Sequence, residues 1–179
     1  MFEKTEFRKN LISRIEMLSD SERVQKSNQI LLRLQKLLKS FSGSWGAYQP
    51  LSSEPEIEFK KVLDIDWCYP KVVGHKLDFY SGSRQFQTSS LKVMEPTDGT
   101  VVDINQLTGL CIPGLGFHVE GFRLGRGKGF YDKTFSDFLG TKIGICYDFC
   151  LSSDVPCELH DIKMDYIVTD LQVIHTGEN

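Results

Sequence analysis

Apolar side chains recur at helical spacing over the first forty residues. Phe7, Leu11, Ile12, Ile15 and Leu18 share one face of a helix. Ser19-Asp20-Ser21-Glu22 then matches a capping box, with Ser19 as N-cap and Glu22 reaching back to it. Val24, Ile30, Leu31, Leu34, Leu37, Leu38 and Phe41 continue a second amphipathic helix, which Gly43 ends. Beyond Gly43 the pattern changes to short apolar runs. Residues 44–48, 67–71, 76–80, 91–94, 110–112, 142–146 and 166–169 read as strands, and residues 57–64 and 130–139 as helices. Strands alternating with helices predict an α/β fold: a mostly parallel central sheet flanked by helices and preceded by two N-terminal helices. No internal repeat or Gly/Pro/Ser-rich linker divides the chain, so residues 1–179 read as one domain.

Composition agrees with a packed core, at 40% hydrophobic and 11% aromatic residues. No apolar run approaches the ~20 residues that a membrane span needs. The charged N-terminus has no signal-peptide core, and the protein is read as cytoplasmic. Five cysteines, Cys68, Cys111, Cys146, Cys150 and Cys157, form no dense framework and read as free thiols. The run Cys146, Cys150, Cys157, His160 lacks the close cysteine pairs of common zinc sites.

Charge sharpens the picture. The net charge is −3, which argues against a nucleic-acid binder, usually basic over the whole domain. Yet residues 121–133 carry Arg123, Arg126, Lys128 and Lys133 against Asp132 alone, a local +3 that leaves −6 on the rest. This basic patch is also rich in glycine: Gly114, Gly116, Gly125, Gly127 and Gly129. Glycine lets the backbone approach a ligand, Arg offers forked donors to phosphate, and Lys adds a mobile charge. A helix starting near Gly129 would aim N–H groups at the same place. The segment therefore reads as a phosphate site. It is neither a Walker A loop, since Gly129 follows Lys128, nor a dinucleotide fingerprint, since its glycines are spaced by two. Asp132, directly after it, suits Mg2+ held beside phosphates. Asp161 and Asp165 are both candidates for a second acid, and spacing leaves the choice open.

With these residues in view, the sequence resembles the 5-formyltetrahydrofolate cyclo-ligase (methenyltetrahydrofolate synthetase) family. The resemblance is densest at Pro-Gly-Leu-Gly-Phe (residues 113–117) and Arg-Leu-Gly-Arg-Gly-Lys-Gly-Phe-Tyr-Asp (residues 123–132). Lys4 with Arg8, Tyr48 with Glu54, Glu95-Pro96, and His160-Asp161 with Asp165 extend it in order along the chain. It implies an ATP-dependent conversion of 5-formyltetrahydrofolate to 5,10-methenyltetrahydrofolate in a single α/β domain. It implies that Arg126, Lys128 and Tyr131 serve catalysis. ATP would be bound by Lys4, Arg8, Arg123, Gly125, Arg126, Gly127, Lys128, Gly129, Phe130 and Tyr131. The reduced folate would meet Tyr48, Glu54 and Phe130, with Tyr48 offering a face for stacking. Mg2+ would sit on Asp132 and Asp165. A monomer is expected, with no nucleic-acid or membrane partner.

Two positions depart from the family pattern: Phe130 stands where Tyr is usual, and His118 where Asp is common. One alternative is a repurposed relative that binds nucleotide or folate without closing a ring. The intact Arg126, Lys128, Asp132 and Asp165 weigh against it.

Overall fold

The structure is a computed structural model that describes residues 2–158 and 161–177. Two helices open the chain, α1 (Phe2–Glu16) and α2 (Asp20–Leu38). The capping box between them forms: Ser19 N–H donates to Glu22 Oε2 at 2.8 Å, and Glu22 N–H donates to Ser19 Oγ at 3.3 Å. Strands β1 (Gly43–Gly46), β2 (Ile65–Val73), β3 (Lys76–Ser81), β4 (Phe86–Thr88), β5 (Met94–Pro96), β6 (Thr100–Val102), β7 (Gly109–Pro113), β8 (Gly116–Phe117) and β9 (Arg123–Leu124) follow. Then come α3 (Phe130–Phe135), β10 (Thr141–Ile145), β11 (Tyr166–Val168) and β12 (Val173–His175).

Eight strands form one sheet in the order β12-β11-β10-β7-β1-β2-β3-β6. The five central strands, β11 through β2, are parallel, and the edge strands β12, β3 and β6 pair antiparallel. The sheet is thus mixed and mostly parallel, with few helices. Two small ribbons, β4-β5 and β8-β9, stand apart from it.

Period-two alternation divides the core between the two faces of the sheet. In β7, Leu110 and Ile112 join Leu11 and Ile15 of α1, Phe117 and Phe135 on one side. Cys111 points the other way, where Ile143 and Ile145 of β10 and Trp45 of β1 meet Ile30, Leu34 and Leu38 of α2. Each helix therefore covers one face.

Several expected elements take a different form. Residues 57–64 make only a 3₁₀ turn at Phe59–Lys61, because Ile57, Phe59 and Val62 are all drawn into the core and Asp64 turns the chain at φ 65°. Residues 91–94 are mostly turn: Lys92 adopts φ 60°, and β5 begins at Met94. The helix expected over 130–139 stops at Phe135, since Phe138 folds back into the core while Leu139 is exposed. The described cysteines are free, with Cys157 alone exposed. No described helix is long and apolar enough to cross a membrane.

Candidate active site

The chain leaves β1 toward β2 on one side of the sheet, and β7 toward β10 on the other. Between β1 and β7 the winding reverses, and open α/β sheets bind ligands beyond the carboxyl ends of the strands at such a point. A cavity of about 910 Å³ lies there. The loop after β1 (residues 48–54), Pro113 at the end of β7, residues 123–132, α1 and the β4-β5 ribbon all contribute to its lining.

The basic segment forms one wall. Arg123 is 9% exposed; its Nε donates to the Pro113 carbonyl at 2.8 Å, and its guanidinium lies 4.6 Å from the centre of the Tyr131 ring. Burial pushes the Arg123 pKa down, against the nearby Tyr131, Asp132, Glu54 and Asp161, which favour its charge. Burial holds the Tyr131 hydroxyl well above its usual range, so it stays protonated. Gly125 is required by close approach: a Cβ there would collide with the Arg123 guanidinium. Gly127 and Gly129 adopt φ 89° and 69°, the left-handed region that glycine enters without strain. Gly129 caps α3 without a side-chain hydrogen bond, so Phe130 and Tyr131 start the helix at the cavity wall.

Arg126 and Lys128 are exposed at the rim. Arg126 donates to Ser53 Oγ, and its Nε lies 3.7 Å from Glu54 Oε1. Glu54 is 8% exposed and accepts the Leu51 N–H at 2.9 Å. Burial raises its pKa, while the Leu51 N–H and the two arginines pull it back.

Helix α1 supplies two cations from the far end of the chain. Arg8 Nε donates to the Gly125 carbonyl at 2.7 Å, and Lys4 Nζ donates to Asp161 Oδ2 at 2.7 Å. Lys4 also lies 3.2 Å from Glu158 Oε1. Burial alone would lower the Lys4 pKa, but these two acids outweigh it and raise it.

Tyr48 and Asp165 sit differently from the other expected site residues. Tyr48 is 1% exposed, donates its hydroxyl to the Pro55 carbonyl at 2.7 Å and packs edge-on against Phe59. It shapes the loop after β1 from inside the core and also lines the cavity. Asp165 lies at the amino ends of the strands, away from the cavity. Its carboxylate accepts the Lys142 N–H at 2.7 Å, and Lys142 Nζ is 3.6 Å away. Of these two acids it is Asp161 that lines the cavity, bonded to Lys4 and to the Glu158 N–H. His160 lies outside the described residues.

Asp132 has the chemistry of a metal donor. Its Oδ1 is buried without a hydrogen-bond partner among the described residues. No cluster of three or more His, Cys, Asp or Glu that could cage a metal occurs among them. One carboxylate with room for phosphate oxygens and water is the arrangement magnesium uses.

His118 pins its own turn. Its Nδ1 accepts the Glu120 N–H at 3.2 Å, closing the turn before β9. Sequence reasoning passed over Ser53 and Glu158, and gave Glu95 no role. It also missed the apolar wall of Pro70 and Val72 on β2 and Leu77 beside them on β3; the alternation of Pro70 and Val72 along β2 was the available signal.

The model of the 5-formyltetrahydrofolate cyclo-ligase family matches residues 1–170. A 5-formyltetrahydrofolate cyclo-ligase of Mycoplasma pneumoniae is 27% identical over 177 residues, covering 94% of this chain and 99% of that one. The Escherichia coli K12 enzyme of the same name is 31% identical over 139 residues, covering 69% and 76%. In structure, the chain is similar to 5,10-methenyltetrahydrofolate synthetase of Aquifex aeolicus, with a TM-score of 0.82 and 27% identity over 98% of this chain and 94% of that one. The M. pneumoniae synthetase gives a TM-score of 0.77 and 26% identity over 93% and 98%.

Proposed function

The chain belongs to the 5-formyltetrahydrofolate cyclo-ligase family, a family of ligases, and from that premise we propose that it converts 5-formyltetrahydrofolate to 5,10-methenyltetrahydrofolate at the expense of ATP. The observation that carries this reading is a cavity that joins a glycine-rich cationic wall to an apolar wall, room for a nucleotide and a folate together.

An amide oxygen is a poor leaving group. Transfer of the γ-phosphoryl group to the formyl oxygen forms a P–O bond and releases ADP. The neighbouring folate nitrogen then bonds to the formyl carbon, the C–O bond breaks, phosphate departs, and the nitrogen gives up its proton. Charge spreads over the transferring group, so positioned cations are the main source of rate. Arg126 and Lys128, exposed at the rim, close on the phosphates, and Glu54 with Ser53 holds Arg126 ready. The backbone of residues 125–129 cradles the phosphates. Arg8 fixes the loop through the Gly125 carbonyl, and Lys4 tethers Glu158 and Asp161 to α1. Arg123 supplies fixed positive charge from beneath, and the protonated Tyr131 donates a hydrogen bond at the transfer site. Asp132 would hold Mg2+, with Asp161 on the same side; the ion would neutralise phosphate charge.

The test is to mix the protein, 5-formyltetrahydrofolate, ATP and Mg2+, and follow the near-ultraviolet absorbance of the methenyl product. An ATP-dependent signal is expected, and its absence rejects the reading. Lys128→Ala and Asp132→Ala should each lower turnover more than about tenfold, or ~1.4 kcal/mol of transition-state stabilisation. Wild-type rates in both would reject this placement of phosphate and metal.

A further inference from the structure

Arg23 of α2 is half-buried where three segments of the chain meet. Its guanidinium donates to three backbone carbonyls: Nη2 to Ile15 at 2.5 Å, Nε to Leu18 at 3.3 Å and Nη1 to Ser52 at 2.7 Å. The first two bonds close the C-terminal end of α1, whose last carbonyls lack helical partners. A cation also suits that end of the helix dipole. The third bond goes to a different segment, 29 positions along the chain, and capping α1 does not call for it. Ser52 belongs to the turn of residues 51–54. That turn is closed by its own bonds: Glu54 N–H donates to the Leu51 carbonyl, and Leu51 N–H donates to Glu54 Oε2, both at 2.9 Å. A turn closed in this way moves as a unit, and Arg23 ties the unit to the helices.

We propose that Arg23 is a positioning residue for phosphoryl transfer, acting on Arg126 through Ser52 and Ser53. The proposal rests on the cyclo-ligase reading above and deepens it. The Ser52 carbonyl and the Ser53 N–H share one planar peptide, so a bond that holds the carbonyl fixes the plane from which Ser53 projects. Ser53 is 4% exposed, its Oγ accepts from Arg126, and Glu54 Oε1 lies 3.7 Å from Arg126 Nε. The contacts run unbroken from Arg23 to the exposed guanidinium at the rim. On the other side, Arg8 of α1 holds the carbonyl of Gly125, the residue before Arg126. Arg126 is thus set between two anchors, and Arg23 joins the helices that bear them. Without Arg23 the 51–54 turn shifts and takes Arg126 with it. A displacement of about 1 Å at a group that orients the reaction can cost about a hundredfold in rate.

The experiment is a double-mutant cycle on kcat, with Arg23→Ala made in the wild type and in Arg126→Ala. Folded protein is confirmed by circular dichroism before each assay. In the wild type, Arg23→Ala should lower kcat at least about tenfold. In the Arg126→Ala background it should change kcat less than about twofold, because the group it positions is gone. Ser53→Ala removes the acceptor for Arg126 and leaves the helix junction whole, so it tests the same path even if Arg23→Ala does not fold. It should lower kcat at least about fivefold, again only while Arg126 is present. A merely structural role predicts an unchanged kcat for the folded variants, or the same factor in both backgrounds. Either result, or a wild-type kcat in Ser53→Ala, would overturn the proposal. Failure of the cyclo-ligase reading looks different: the wild type itself makes no methenyl product.

Discussion

Arg123 contributes charge to the cavity from inside the core, and its environment explains the glycine next to it but one. The guanidinium is fixed by the Pro113 carbonyl and by the Tyr131 ring, so it cannot swing away from a new Cβ at residue 125. Gly125→Ala should therefore cost about 1–3 kcal/mol of stability, the usual range for overpacking, and lower kcat/KM more than about tenfold. Denaturant midpoints and steady-state rates check this; an unchanged midpoint would mean that Arg123 moves freely. Residue types and spacing made the basic segment legible, but they could not show that Arg123 is buried while Arg126 and Lys128 are exposed. Nor could they choose between Asp161 and Asp165. The chain runs extended there, with Ile162 and Met164 bonded to Arg123 and Gly121, and four extended residues cover roughly 13 Å. Two acids that would be neighbours on a helix end up at opposite ends of the sheet.

Among elements, those with strong local signals were the easiest to read. The capping box set the start of α2 because both of its hydrogen bonds are local to residues 19–22. Ser19→Ala should lower stability by about 1 kcal/mol and leave kcat and both KM values unchanged, since Ser19 is remote from the cavity. Chemical denaturation with parallel kinetics checks it; a change in KM would mean that α2 tunes the site. Elements decided by distant partners were harder. The turn at residues 59–61 exists because Phe59 packs against Tyr48 and Trp67, contacts that no local window contains. The edge strand β12 has only three residues, partly or fully exposed, and its pairing with β11 leaves little trace in its own pattern.

At the scale of the whole molecule, alternation of strands and helices was enough to indicate a mostly parallel sheet, but not its order. The order matters because it sets the reversal between β1 and β7, and with it the position of the cavity. Ligand and stability are thereby coupled. ATP with Mg2+ at about a hundred times its Kd should add about 2.7 kcal/mol to the unfolding free energy. Amide exchange should slow most in α1 and residues 123–131, which meet at the Arg8–Gly125 bond, and least in β6. Thermal melts and exchange mass spectrometry check both; slowing confined to β3 and β6 would place the nucleotide elsewhere.

The bond between Lys4 and Asp161 joins residues 157 positions apart. During synthesis Lys4 gains this partner only after residue 161 has been added. A nascent or truncated polypeptide can build the sheet's early strands yet still lack the clasp across the cavity mouth. In such a polypeptide α1 can still bond to the Gly125 carbonyl through Arg8, so its two ties to the cavity form at different stages of synthesis.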